Sequence, residues 1–208
     1  GYDSAGGPRQ IFGGEPVRNG VAIERRGPDR ILTIEALDGG RAVAGSFVSE
    51  SFVQQTSVGQ VLDALAAALG LPRGATVLDS EIRWPQGLVL LGPVRDELDR
   101  VCGAIAADWF VRDGALYVVA RGRSTGEVAP LFAASKGNLI GSPARKADGS
   151  IEVVALLDPA IRPGRPFVVQ SEAVSGEYVA RDVVFEGDSG FDAAFYVRVT
   201  GEPRAGAT

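Results

Sequence analysis

The carboxylates of Asp182, Glu186 and Asp188 lie close enough along the chain to suggest acid–base chemistry. A retaining glycosidase needs two such groups ~5 Å apart. The run Asp182 to Glu186 reads as a strand, which puts both residues on one face but separates them by roughly 13 Å. A solvated strand face followed by a Gly187-Asp188 turn is the simpler reading. Histidine is absent from the whole sequence, which removes the commonest general base and the commonest metal ligand together. Cys102 is the sole thiol and falls on an apolar helical stripe with Arg100 as its basic neighbour, so a buried small hydrophobe is expected there and not a thiolate. Asp3, Asp29 and Asp38 offer calcium-compatible oxygens, but no single loop alternates them.

Gly13-Gly14 and Gly39-Gly40 lack the Lys-Ser pair and the helix start that a phosphate cradle requires, and are expected to be turns. Trp84, Trp109 and Tyr117 could stack on a sugar ring, yet aromatic residues beside Val and Leu in strands serve more often as core anchors. The sequence therefore assigns no catalytic, cofactor-binding or metal-binding residue and calls for no cofactor.

Composition narrows the remaining classes. The 208 residues are 45% hydrophobic and 23% charged, the balance of a folding globular chain long enough for two or three small modules. A net charge of −5 with scattered basic residues excludes a nucleic-acid backbone as the main partner, so sequence-specific nucleic-acid binding is not expected. The longest apolar stretches, Val61 to Leu71 and Ile151 to Leu157, are interrupted or too short for a membrane core, and stable membrane insertion is not expected either. One cysteine allows no internal disulfide framework. Gly1 stands where an initiator Met would be, and the first strand-like run follows at once, so residues upstream of Gly1 are expected.

The elements that would carry these side chains are mostly strands. Ile11-Phe12, Val21 to Glu24, Ile31 to Ala36 and Arg41 to Val48 are β-like runs divided by Gly-Gly, Gly-Pro-Asp and Asp-Gly-Gly turns. In the third run Leu32, Ile34 and Ala36 share a face, as in a half-buried strand. Ser57 and Gln60 have the spacing of a capping box, Val58, Val61, Leu62, Leu65 and Leu69 form one helical stripe, and Gly70 with Pro72 ends it. A second helix opens at Pro93 and carries Val94, Leu98, Val101, Cys102 and Ile105. Asp113-Gly114 joins the strand-like runs 109–112 and 115–120 as a hairpin. Residues 123–137 lack periodicity and read as a connector, and four spaced strand-like runs from Ile151 to Thr200 read as a small antiparallel barrel or sandwich.

The resulting fold class is α+β and β-rich, with two small antiparallel β-barrel or sandwich modules flanking a two-helix α/β insertion. The expected boundaries are 1–54 for part of a first barrel, 55–122 for the insertion, 123–137 for the connector, 138–203 for the second barrel and 204–208 for a loose tail.

The order of several phrases resembles the hub proteins of tailed-phage baseplates and tail tips, and the hub part of type VI secretion spikes. They are Ile11-Phe12-Gly13-Gly14-Glu15, Asn138-Leu139-Ile140-Gly141-Ser142-Pro143, Leu156-Leu157-Asp158-Pro159, Ile161-Arg162-Pro163-Gly164 and Phe185-Glu186-Gly187-Asp188. The resemblance implies a non-enzymatic virion tail subunit that self-associates into a ring, a trimer in that family. Its implied partners are the tail tube, the tape measure and the spike or tip, with DNA passing through the ring. The stretch from Leu88-Val89-Leu90-Leu91-Gly92 to Trp109 through Val118 is also similar to secretin-type N-domains, so an envelope interaction module is the alternative. A peptidoglycan-degrading tail enzyme ranks below both.

Overall fold

The computed structural model describes residues 10–78, 81–187 and 195–205. The chain divides into two compact units, Phe12–Val118 and a second built from Gly1–Ile11 with Val119–Thr208. The architecture is β-rich with three α-helices among the described residues, the α+β class that the sequence implies.

The helix-bearing unit begins with a long hairpin. Strands β1 (Glu15–Arg26) and β2 (Asp29–Leu37) pair antiparallel, and the Gly27-Pro28 turn is permitted by the left-handed Gly27. A short helix, α1 (Gly40–Gly45), follows, where the Arg41 to Val48 alternation predicts a strand. The correction has a local cause: Arg41-Ala42-Val43-Ala44 is alanine-rich, and Gly39 takes the left-handed conformation that leads into the first turn. Ala42 and Val43 then pack on the unit's core, and only Phe47 and Val48 of the predicted strand lie in a strand.

Strand β3 (Phe47–Phe52) and the two-residue β4 (Thr56–Ser57) lead into helix α2 (Val58–Leu69). The expected capping box is formed: the Gln60 backbone N–H donates to Ser57 Oγ at 3.3 Å, and the Ser57 N–H donates to Gln60 Oε1 at 3.0 Å. Gly70 closes the helix in the left-handed conformation. Next come β5 (Arg73–Val77), β6 (Arg83–Trp84), β7 (Leu88–Pro93), helix α3 (Val94–Ala104), β8 (Ala107–Arg112) and β9 (Ala115–Ala120). Pro93 serves as the N-cap of α3, one position before its expected place in the first turn. The stripes of α2 and α3 meet over one core, in which Val61, Leu62, Leu65, Leu90, Leu98, Val101 and Leu116 are fully buried.

The C-terminal unit is a six-stranded sheet ordered β10-β13-β14-β15-β12-β11. Its strands are β10 (Leu131–Ala133), β11 (Ala144–Arg145), β12 (Ile151–Leu156), β13 (Pro166–Gln170), β14 (Ser175–Gly187) and β15 (Phe195–Pro203). The pairings are antiparallel except for β10 beside β13, which is parallel. β10 arises inside the predicted connector, because its three residues are too few to show a period and depend on a distant partner. The buried face gathers Phe132, Ile151, Val153, Phe167, Tyr178, Val197 and Val199.

Candidate assembly interface

The side chains that might have done chemistry are dispersed or occupied. Asp182 and Glu186 share the outer face of β14, as the strand reading requires, while Val183 and Phe185 pack on the core. Glu186 is engaged: it accepts the Tyr196 hydroxyl proton and lies 3.7 Å from the Arg198 guanidinium. That hydrogen bond, followed by the carboxylate's charge, raises the Tyr196 phenol above its ordinary pKa. Asp188 lies outside the described residues, as does Asp3.

Asp38 has a structural task that sequence spacing does not reveal. Its carboxylate accepts the backbone N–H groups of Asp113 at 2.6 Å and Gly114 at 3.1 Å, across the β8–β9 turn. Both residues of that turn have positive φ, 51° and 72°, as the Asp-Gly hairpin signal implies. Asp38→Ala is expected to destabilise the helix-bearing unit by about 1–3 kcal/mol, read in its unfolding midpoint, with calcium making no difference to either protein. Asp29 is an exposed residue at the β1–β2 turn, and no cluster of metal-ligating side chains occurs among the described residues.

The three aromatic residues of the possible sugar platform do not converge on one surface. Trp109 packs at the edge of the core and its indole N–H donates to Asp99 Oδ1 at 2.8 Å, and Trp84 packs on the same core. Tyr117 stacks on Phe110 with ring centroids 5.4 Å apart, and the Arg112 guanidinium sits 4.2 Å from its ring centre. Gly74 leaves room for the Tyr117 ring, since a Cβ there would meet it at 2.7 Å. The Gly39-Gly40 pair does precede a helix, contrary to expectation, but α1 is a six-residue turn and no Lys-Ser pair follows it.

Cys102 is buried in the α3 stripe, as expected. Burial, followed by the negative charges of Asp108 and Asp99, pushes its thiol up to about 12 from 9.0. The unfolded chain therefore loses this proton first as pH rises, so the contribution is complete below pH 9 and is lost toward 12. Between those values stability should fall by about 1 kcal/mol per pH unit relative to a Cys102→Ala variant, measured by paired denaturant titrations. The thiol should also resist a disulfide reagent until the protein unfolds.

The unusual surface of this protein is apolar. Val21 pairs with Ile34 and Ile23 with Leu32 on one face of the β1–β2 hairpin, where they are 55%, 57%, 69% and 57% exposed respectively. The sequence places Leu32 and Ile34 on a half-buried face, and the structure corrects this. Among the described residues β1 and β2 form a sheet of only two strands, and no third strand there covers this face. The β3–β7 pair is also two-stranded, and its outer face carries Phe47, Val89 and Leu91, 61%, 61% and 65% exposed. Periodicity reveals that such a face exists but not what covers it, which is why sequence reasoning gave it to the core.

No protein-family model matches this chain, and no curated protein sequence does. Solved structures do. A tail protein from Neisseria meningitidis superposes with a TM-score of 0.66 at 11% identity, covering 88% of this chain and 78% of that one. The 43 kDa tail protein of a Shewanella oneidensis prophage gives 0.57 at 12%, covering 88% and 74%. The chain has a phage tail-protein fold. An Escherichia coli component of the type VI secretion system, described as structurally similar to tail proteins of bacteriophage T4, gives 0.54 at 11%, covering 85% of this chain and 56% of its own length. The tail-protein fold thus extends over both units, and the hub resemblance read from the sequence is borne out at the level of fold.

Proposed function

We propose that this protein is a structural subunit of a phage tail that self-associates into a ring at the baseplate or tail tip. The observation that carries the reading is a tail-protein fold over most of the chain combined with two apolar sheet faces that stay exposed among the described residues. A two-stranded hairpin such as β1–β2 is at best marginally stable alone in water, and exposed apolar faces of this kind mark association surfaces.

The candidate nucleophile and acids fit this reading. Cys102 is buried and its thiol is held protonated, and Glu186 is bound to Tyr196 and Arg198. A net charge of −5 suits a lumen that DNA crosses without adhering, since few cations are available to neutralise phosphates. The tail tube, the tape measure and the spike or tip are the neighbours that such a ring would contact, and three copies are the stoichiometry that the hub resemblance implies.

Negative-stain electron microscopy of the purified chain is the test. Closed rings of one size, with a central channel, are expected. Monodisperse single copies across micromolar concentrations would overturn the ring, and release of dye from labelled peptidoglycan would overturn the absence of enzymatic activity.

A further inference from the structure

We propose that Asn19 is a site of spontaneous covalent modification, at which the side-chain amide is displaced by the Gly20 backbone nitrogen and replaced by a carboxylate. A bulge in the β1–β2 hairpin builds the site.

Pro16 pairs with Ala36 and Val21 with Ile34, so Val17 to Gly20 stand opposite Glu35 alone and have no register partner on β2. Asn19 is exposed there and takes a left-handed φ of 62°, a conformation that asparagine tolerates better than most residues because its short amide can bond locally. Gly20 is buried, and a Cβ on it would meet Val17 Cγ2 at 2.4 Å and the Glu35 carbonyl oxygen at 2.7 Å. The bulge thus selects asparagine at its left-handed position and glycine directly after it. That order is chemically reactive, because glycine has no side chain to shield its nitrogen from the neighbouring amide carbon.

In the reaction the Gly20 nitrogen gives up its proton and attacks Asn19 Cγ. A new C–N bond forms, the bond from Cγ to the side-chain nitrogen breaks, and ammonia leaves carrying that proton. The resulting cyclic succinimide takes up water. Opening at Cγ gives an aspartyl residue, and opening at the main-chain carbonyl gives an isoaspartyl residue, in which the chain runs through the side-chain carbon. Water is the only co-reactant. Either product places a carboxylate where a neutral amide stood, two residues before Val21 and its exposed apolar ladder.

The chain carries its own control, since Asn19 and Asn138 are its two asparagines. Asn138 is half-buried and is followed by Leu139, whose side chain shields the nitrogen. Its amide is also held at both ends: Oδ1 accepts the Ala133 N–H at 2.9 Å, and Nδ2 donates to the Leu131 carbonyl at 2.8 Å. Asn138 should therefore keep its amide.

Peptide mapping by mass spectrometry of the full folded chain, held in mildly alkaline buffer, is the test. Conversion at Asn19 should yield both aspartyl and isoaspartyl forms and should run at least roughly tenfold faster than at Asn138. It should also accelerate with pH, because the attacking nitrogen reacts deprotonated. Asn19→Gly suits the left-handed backbone and has no amide to lose, so the same peptide should stay unchanged in that variant, with circular dichroism confirming that it is folded.

Comparable rates at the two asparagines would overturn the proposal. So would an Asn19 amide that persists in the folded chain while the same chain unfolded in urea converts, since the bulge would then protect the site. An equal gain of acidic product in the Asn19→Gly peptide would place the reaction elsewhere and overturn it as well.

Discussion

Phe167→Ala is expected to lower the stability of the C-terminal unit by about 3–5 kcal/mol. Phe167 is fully buried on β13, edge-on to Phe132 with ring centroids 5.9 Å apart and tilted against Tyr178 at the same distance. Gly201 faces it across the sheet, and a Cβ there would approach the Phe167 ring to 2.5 Å. The ring thus fills space that a glycine leaves open, so alanine creates a cavity that its stiff sheet neighbours cannot fill. The same packing gives a reciprocal expectation: Gly201→Ala should cost about 1–3 kcal/mol through overpacking, and less in a Phe167→Leu background, where the ring is gone. Far-UV circular dichroism in guanidinium reads the loss, and additive costs for the two sites would contradict the contact.

Leu98→Ala should cost the helix-bearing unit about 2–5 kcal/mol. Leu98 is fully buried on α3, in the same core as Leu62 and Leu65 of α2 and Leu90 of β7, so its truncation opens the layer in which the helices meet the strands. Both tryptophans of the chain, Trp84 and Trp109, pack against this core, and their fluorescence therefore reports its unfolding directly. Substitution at Leu91, also on β7 but 65% exposed, should leave that transition within about 0.5 kcal/mol of wild type. Equal losses at Leu98 and Leu91 would contradict the division of β7 into a core face and an exposed face.

What was legible in the sequence was local. Ser57 and Gln60 mark the start of α2 because a capping box is completed within one helical turn, and the α3 stripe needs only its own spacing. Asp113-Gly114 determines its turn through its own backbone preferences. The misreadings came where a distant partner decides. β10 exists because three residues pair with β13, and Asp38 acts on a turn 75 residues away. Arg162 likewise donates to the carbonyls of Gln10 and Ile11, a tie that composition cannot signal. The Arg41 to Val48 run failed for a different reason: two-residue alternation in an alanine-rich stretch is equally compatible with a short helix.

The exposed hairpin face is the candidate site, and it was only partly visible in the sequence. Alternation of Leu32 and Ile34 correctly signals an apolar face, but the residues that cover a face in an assembly are not written beside it. The core-facing and exposed ladders of this chain are built from the same apolar residue types, so hydropathy alone does not tell them apart.

Immunogold electron microscopy of intact tailed particles, using antibody raised against this chain, tests the central claim most directly. Gold at the baseplate or tail-tip end of the tail, in a fixed small number per particle, is the expected result. Particles free of label at the tail end, with the protein recovered wholly outside them, would contradict the assignment of this chain to the tail.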